Sequence, residues 1–268
     1  MKLEFCSLSS SSSGNCYYLG NEFHGILVDA GISARSIRSF LVELGLSIER
    51  IMGIVVTHDH GDHVRGLQTL TRRHHIPVFT TTTIWKHIMA LPDQKKITAD
   101  CIRKIEPLHP FHLAGFDIEA FPVSHDTPET MGYHIRAGKS RITIVTDLGH
   151  ICETAARYIS AANFLVIESN YDEQMLMNGP YPAFLKKRIS GNQGHLDNRH
   201  TSAFLAANMS TDLSHICLAH LSKNNNTPEK ALNTLHATFT EKGIDLNGKP
   251  EIMVLKRNSP SERILIDS

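Results

Sequence analysis

A run of metal-ligand side chains set directly behind an apolar strand constrains this chain more than any other feature. Met52-Gly53-Ile54-Val55-Val56-Thr57 is short, apolar and β-branched, and reads as a buried strand. His58, His60, Asp62 and His63 follow it within six positions, with Gly61 allowing a tight turn. Imidazole and carboxylate without a thiolate suit zinc, manganese or iron. His58 and His60 are two apart and can point the same way from an extended loop. Asp62 and His63 fall where the next helix begins and project in another direction. Four ligands in two directions suit two metals rather than one.

Further ligands are expected at other strand ends. Phe121-Pro122-Val123-Ser124-His125, Ile144-Val145-Thr146-Asp147 and Ile216-Cys217-Leu218-Ala219-His220 each run from apolar residues into a ligand type at the start of a loop. That is the usual address of a functional group in a layered α/β fold. Strands are read at Lys2 to Leu8, Cys16 to Leu19, Gly25 to Val28, Pro77 to Thr80, Phe116 to Val123, Gly132 to Arg136, Arg141 to Thr146, Phe164 to Ile167, His215 to Ala219, Glu251 to Leu255 and Arg263 to Ile266. Helical spacing or capping marks Ser33 to Leu44, His63 to His74, Thr83 to Met89, Ala155 to Ser160, Ala183 to Ile189, Arg199 to Met209 and a helix opened by Thr227-Pro228-Glu229. Two strand-rich halves flanked by helices imply an α/β layered sandwich. With no low-complexity linker, residues 1–268 read as one domain.

Composition narrows the setting. Lys+Arg and Asp+Glu are both 27, so bulk charge does not announce a nucleic-acid binder, although a local basic patch would suffice for phosphate contacts. Cys6, Cys16, Cys101, Cys152 and Cys217 are odd in number and form no CxxC pair, which fits a reducing compartment. Met1 to Phe5 lacks the regions of a signal peptide, and no apolar run approaches the ~20 residues of a membrane span. A cytoplasmic protein with no membrane partner is expected.

The run Thr57-His58-Asp59-His60-Gly61-Asp62-His63, followed in order by His125, Asp147 and His220, resembles the metallo-β-lactamase superfamily over nearly the whole chain. The resemblance implies a four-layer αββα sandwich with metals at one edge. It implies that His58, His60 and His125 hold one metal, that Asp62, His63 and His220 hold a second, and that Asp147 bridges both. Asp29, in Leu27-Val28-Asp29-Ala30-Gly31, matches the carboxylate that orients the metal loop without being a ligand.

Three further features point to phosphodiesters. Asp147, an oxygen ligand, stands where many drug-hydrolysing lactamases place a thiolate, and metals ~3.5–4 Å apart suit displacement at phosphorus. Gly194-His195-Leu196-Asp197-Asn198 is similar to a motif of tRNase Z-like phosphodiesterases and reads as opening a helix. There the His, with an upstream Glu matched by Glu168, serves the leaving group. The serine run Ser9 to Ser13 with Asn15 reads as a loop between strands whose hydroxyls and amides could hold phosphate.

This loop, with the His195 motif and His220-Leu221-Ser222-Lys223-Asn224-Asn225-Asn226, resembles the YycJ/WalJ group of cytoplasmic bacterial proteins. That second resemblance implies a 5′-to-3′ exonuclease acting on DNA rather than RNA. A hydroxide bridging two metals would attack phosphorus with Asp62 orienting it, and His195 held by Glu168 would protonate the departing oxygen. Ser12, Ser13, Asn15 and Asn225 are the expected substrate contacts. Arg65, Arg72, Arg73, Lys186, Lys187, Arg188 and Arg199 could hold the backbone if they cluster in space. A small-molecule phosphodiesterase of the cyclic-nucleotide type, an iron-dependent oxidoreductase and a regulatory protein with a vestigial site remain as other readings.

Overall fold

Short β-branched runs separated by capped helices lay out the first half of the chain. β1 (Lys2–Ser11), β2 (Gly14–Asn21) and β3 (Gly25–Val28) are consecutive antiparallel strands. Ser33 caps α1 (Ala34–Glu43), its hydroxyl oxygen accepting from the Ser36 amide. β4 (Ile51–Val55) then pairs parallel with β3. After α2 (Gly61–Val64) and α3 (Leu67–His74) come β5 (Val78–Thr80), α4 (Thr82–Ala90) and β6 (Ile102–Lys104), with both strands parallel to β4. The structure is a computed structural model and describes residues 2–94, 96–246 and 248–267.

The second half opens with an antiparallel meander of β7 (Phe111–Leu113), β8 (Phe116–Val123), β9 (Thr130–Ala137) and β10 (Ser140–Val145). Helical crossovers then make the sheet parallel: α5 (Glu153–Ala161), β11 (Phe164–Glu168), α6 (Glu173–Asn178), α7 (Ala183–Ile189), α8 (Asn198–Asn208), β12 (His215–Ala219), α9 (Pro228–Glu241) and β13 (Glu251–Val254). β14 (Ile264–Asp267) returns to pair with β1. Among the described residues the strands form two seven-stranded sheets, ordered β14-β1-β2-β3-β4-β5-β6 and β13-β12-β11-β10-β9-β8-β7.

One apolar core joins the inner faces of the two sheets. It holds Leu3, Phe5, Tyr17, Val28 and Val55 from the first and Ile118, Tyr133, Ile144, Phe164, Val166 and Cys217 from the second. The Phe5 and Phe164 rings meet across the gap at 5.0 Å. The Tyr133 hydroxyl donates to the Val56 carbonyl at 2.7 Å, so the buried phenol is satisfied from the opposite sheet. Ile37, Leu41, Leu67, Leu70, Ile84 and Ile88 seal the outer face of the first sheet, and Ala155, Ile159, Leu205, Leu235 and Phe239 that of the second. The layers are helix, sheet, sheet, helix, the αββα sandwich expected. No helix among the described residues is long and apolar enough to cross a membrane.

Three sequence expectations are corrected here. The serine run is not a loop: β1 continues through Ser11, and only Ser12 and Ser13 form the exposed turn. Ser9 Oγ lies 2.7 Å from the carbonyls of Gly14 and Arg257, and Ser10 Oγ lies 2.9 Å from the Tyr17 hydroxyl, so neighbouring groups absorb the polarity that normally marks a loop. The helix expected from His63 to His74 is broken after Val64, because the Gly66 amide turns to donate to the Ala30 carbonyl at 2.7 Å. The short elements β6, β7 and α6 were not anticipated, being too short for periodicity to show.

The aromatic contact between the sheets should dominate their cohesion. Phe164→Ala is expected to cost about 3–5 kcal/mol, seen as a lower urea midpoint with an unchanged slope. A loss below about 1 kcal/mol would show that the sheets close over the gap.

Candidate metal centre

The parallel strands of both sheets end on one rim, and the candidate ligands stand there. Asp29 follows β3, His58 and His60 follow β4, and Asp62 and His63 lie in α2. From the second sheet, His125 follows β8, Asp147 follows β10, Glu168 ends β11, and His220 follows β12. Asp29, Asp147 and His220 all adopt the left-handed backbone region, with φ of 61°, 58° and 56°. This conformation is uncommon outside glycine and turns the chain sharply at the strand end.

These turns bring the ligand types together. The donor atoms of His58, His60 and His125 lie within 4.8 Å of one another, as do those of Asp62, His63 and His220, and those of His58, His63 and Asp147. Asp147, His195 and His220 gather around Glu168 in a fourth group. Every residue expected as a ligand is therefore in one cluster, and His195 borders it.

Hydrogen bonds fix which ring nitrogen faces the centre. His63 Nδ1 donates to Asp29 Oδ2 at 2.7 Å, His220 Nδ1 to Glu168 Oε1 at 2.7 Å, and His125 Nδ1 to the Gly194 carbonyl at 3.0 Å. A carboxylate or carbonyl can only accept, so in each case Nε2 is left to point inward. Thr57 Oγ1 donates to Asp29 Oδ2 at 2.9 Å and lies 3.0 Å from His58 Nδ1, orienting that ring in the same way. Outward Nδ1 bonds of this kind are how proteins orient histidines toward a metal.

The inward atoms are poorly satisfied by protein alone. His58 Nε2, His220 Nε2 and Asp147 Oδ2 are buried without a hydrogen-bond partner among the described residues. Burial alone would raise Asp147, but the His220 and His63 imidazoles outweigh it and hold the carboxyl well below the usual range. Burial alone would lower His63, but Asp147, Asp29 and Asp62 outweigh it and hold its ring well above the usual range. The site thus favours positive charge at His63 Nε2, which a proton or a metal cation can supply. Orphaned inward nitrogens, buried carboxylates and a donor set of five imidazoles and two carboxylates fit divalent metal ions such as zinc, manganese or iron.

Glu168 has a wider part than the sequence suggested. Its Oε1 accepts from both His220 Nδ1 and His195 Nδ1, at 2.7 and 2.9 Å, while Oε2 accepts from the amides of Leu148 and Leu196, each at 3.1 Å. Burial would raise this carboxyl, but His195 and then His220 bring it down to about 2. Burial would lower His195, yet Glu168, then Asp147 and Asp126, lift it to about 9. His195 does not open a helix as expected. Asp197 caps α8, which starts at Asn198, and His195 lies in the extended segment before it.

A match to a family model described as a Beta-lactamase superfamily domain covers residues 24–216. Exodeoxyribonuclease YycJ of Bacillus anthracis is 34% identical over 256 residues, which is 94% of this chain and 95% of that protein. The chain belongs to the metallo-β-lactamase superfamily, in the YycJ/WalJ group. Exodeoxyribonuclease WalJ of Streptococcus pneumoniae is 31% identical over 232 residues, 87% of this chain and 86% of its own. Among solved structures of the superfamily fold, YhfI from Bacillus subtilis aligns with a TM-score of 0.73 at 12% identity, covering 99% of this chain and 100% of its own.

Sequence reasoning missed several residues that shape this superfamily site. Asp126 Oδ1 lies 3.2 Å from His125 Nε2 and 3.8 Å from His60 Nε2, while its other oxygen accepts from Arg188. Its place beside His125 was the available signal. Asn15 and Asn225, expected at the substrate face, are both fully buried. The Asn15 amide donates to the Ser11 carbonyl at 3.0 Å and lies 3.0 Å from His63 Nε2, so it supports the site from below. The Asn225 amide turns to Ser222. Ser10 Oγ accepts from the His220 amide at 2.8 Å, tying β1 to the opposite sheet. Of the four expected substrate contacts, Ser12 and Ser13 are exposed.

Asp29 touches no inward nitrogen and acts through Thr57 and His63. Asp29→Asn is therefore expected to weaken metal affinity 10–100-fold while leaving the fold intact, measured by chelator competition beside circular dichroism. Unchanged affinity would show that the His63 ring is held by packing alone.

Proposed function

We propose that the protein is a metal-dependent phosphodiesterase that acts on DNA as a 5′-to-3′ exonuclease, the whole chain serving as one catalytic domain. The observation that carries this reading is the His195–Glu168 pair at the edge of the ligand cluster. The His195 ring stands 5.1 Å from His125 and 5.3 Å from His220, centroid to centroid, with its side chain 20% exposed. A protonated imidazole, partly open to solvent and locked by a buried carboxylate, suits an alkoxide leaving group that needs a proton. The choice of DNA rests on relatives named as exodeoxyribonucleases that align over most of the chain.

In this reading His58, His60 and His125 would hold one divalent ion and Asp62, His63 and His220 a second, with Asp147 between the two sets as a shared ligand. Zinc, manganese and iron all fit these donors. Paired ions supply an activated water at neutral pH and neutralise charge on phosphoryl oxygens. The chain does the rest. Asp62, 22% exposed and 3.7 Å from His63 Nε2, orients the attacking water and accepts its proton. Glu168 keeps Nδ1 of His195 occupied, so the proton given to the departing oxygen comes from Nε2.

The basic residues divide on inspection. Arg188 and Lys187 border the site beside Asp126, and Arg65 is exposed just past α2. Arg72 and Arg73 lie in the last turn of α3, at its far end from the ligand loop. Lys186 donates to the Met177 carbonyl, and Arg199 pairs with Glu173 at 3.6 Å, so both are engaged elsewhere. The five free thiols support a reducing compartment, and we place the enzyme in the cytoplasm.

His195→Ala should lower DNA cleavage by 10²–10⁴-fold and affect bis-p-nitrophenyl phosphate much less, since a nitrophenolate leaves unaided. Metal content should stay the same. Equal loss on both substrates, or loss of metal, would sink the general-acid role. Binding of DNA by the metal-loaded Asp62→Asn variant should weaken steeply with salt. A flat response would favour a small-molecule phosphodiester instead.

A further inference from the structure

Helix α7 does not contribute to the core: none of its residues Ala183–Ile189 is buried. Phe184, Lys187 and Arg188 stand at i, i+3 and i+4, so they share one face of the helix. That face lines an open groove of about 720 Å³ together with Asp126, Asn192 and Gln193. Phe184 is 75% exposed, and no other exposed large apolar side chain lines the groove.

A single exposed phenylalanine is ordinary on a protein surface. The position of this one is not. Asp126 contacts His125 and His60 of the candidate metal centre. Asn192 and Gln193 lead directly into Gly194 and His195. The groove therefore borders the two loops that carry His125 and His195. Arg188 pairs with Asp126, which neutralises the acidic wall and leaves Lys187 as net positive charge beside the ring. An isolated ring flanked by basic side chains does not suit an apolar protein partner, which would need a contiguous apolar patch. It does suit a polynucleotide, which offers a flat base to an aromatic face and phosphates to the neighbouring cations.

We propose that Phe184 is a stacking platform for an unpaired base at the end of a single DNA strand, with Lys187 on the same face holding the adjoining phosphate. This rests on the exonuclease reading above. The helical spacing presents a base contact and a phosphate contact on one side, so the strand is held both by its face and by its charge. Arg188 links this grip to the metal loops through Asp126.

The test uses the full chain, metal-loaded, with a fluorescein-labelled single-stranded oligonucleotide and a matching oligonucleotide carrying abasic residues at its terminal positions. Binding is read by anisotropy in the wild type, Phe184→Ala and Phe184→Trp, with thermal midpoint and metal content as checks on folding. Phe184→Ala should weaken binding of the normal oligonucleotide about tenfold, and Phe184→Trp should restore it. On the abasic oligonucleotide the wild type and Phe184→Ala should bind alike. Equal binding of the normal strand by both, or the same loss on both oligonucleotides, would overturn the stacking role. If the wild type binds the strand and leaves it intact, the exonuclease reading falls, and the comparison of affinities still decides the stacking. Failure of the wild type to bind at all would overturn both.

Discussion

Taking Asp29, Asp147 and Glu168 out of water costs several kcal/mol for each ion unless charge and hydrogen bonds offset it. All three are at most 2% exposed, yet they lie within one cluster at the rim between the sheets. Asp29 is offset by Thr57 and His63, and Glu168 by two imidazoles and two backbone amides. Asp147 is different. Its Oδ2 has no hydrogen-bond partner, and neither do the Nε2 atoms of its neighbours His58 and His220. The arrangement is complete only with cations among these groups. Much else depends on that requirement, including outward Nδ1 bonds on the histidines and polar residues buried beneath the rim.

The geometry also has a backbone cause. A strand alternates its side chains between faces, so a ligand continuing in register would point into a sheet face rather than along the rim. The left-handed turns at Asp29, Asp147 and His220 break that alternation at three strand ends. Each costs on the order of 1–3 kcal/mol, less for aspartate, which tolerates this region better than most residues. Gly31 adds a further condition. A Cβ there would fall 1.6 Å from the Asp62 carbonyl oxygen, so α2 can approach β3 only because position 31 has no side chain. That close approach lets His63 reach Asp29. The space left by Gly31 and the left-handed backbone at Asp29, two residues before it, serve the same contact.

These facts explain what was legible beforehand. His58, His60, Asp62 and His63 could be read because ligand type and spacing are local in the chain. His125, Asp147 and His220 could be read because each ends an apolar run. The layered fold could be inferred from runs long enough to show a period. Long-range hydrogen bonds leave no such trace. Nothing near residue 10 announces that its hydroxyl accepts from the amide of His220, or that the Asn15 amide lies against His63. The serine run was misread for a related reason, since serine in sequence signals a loop unless partners elsewhere absorb its hydroxyl, and those partners are Gly14, Tyr17 and Arg257. Glu168 was legible as a partner of His195 but not as a partner of His220, because the second contact depends on β11 and β12 lying side by side.

The rim and the groove beside it differ in how they are held. The ligand cluster is gripped by both sheets, so shifting one member disturbs the others. Helix α7 has no fully buried residue, and beyond the Lys186 bond to the Met177 carbonyl it is tied at its C-terminal end. There the His195 amide donates to the Ile189 carbonyl at 2.9 Å, and the Arg188 side chain reaches Asp126. Gly194 lies so close to that carbonyl that a Cβ would fall 2.1 Å from it, which pins the His195 segment against the end of the helix. The exposed face of α7 can therefore change without repacking a core, while its C-terminal end cannot. The proposed stacking surface and the segment that positions His195, the proposed proton donor, are joined in one short helix, and the join lies at Arg188 and Ile189. Changes at Phe184 or Lys187 bear on what is held in the groove. Changes at the helix end bear on where His195 stands relative to Glu168, and so on the chemistry itself.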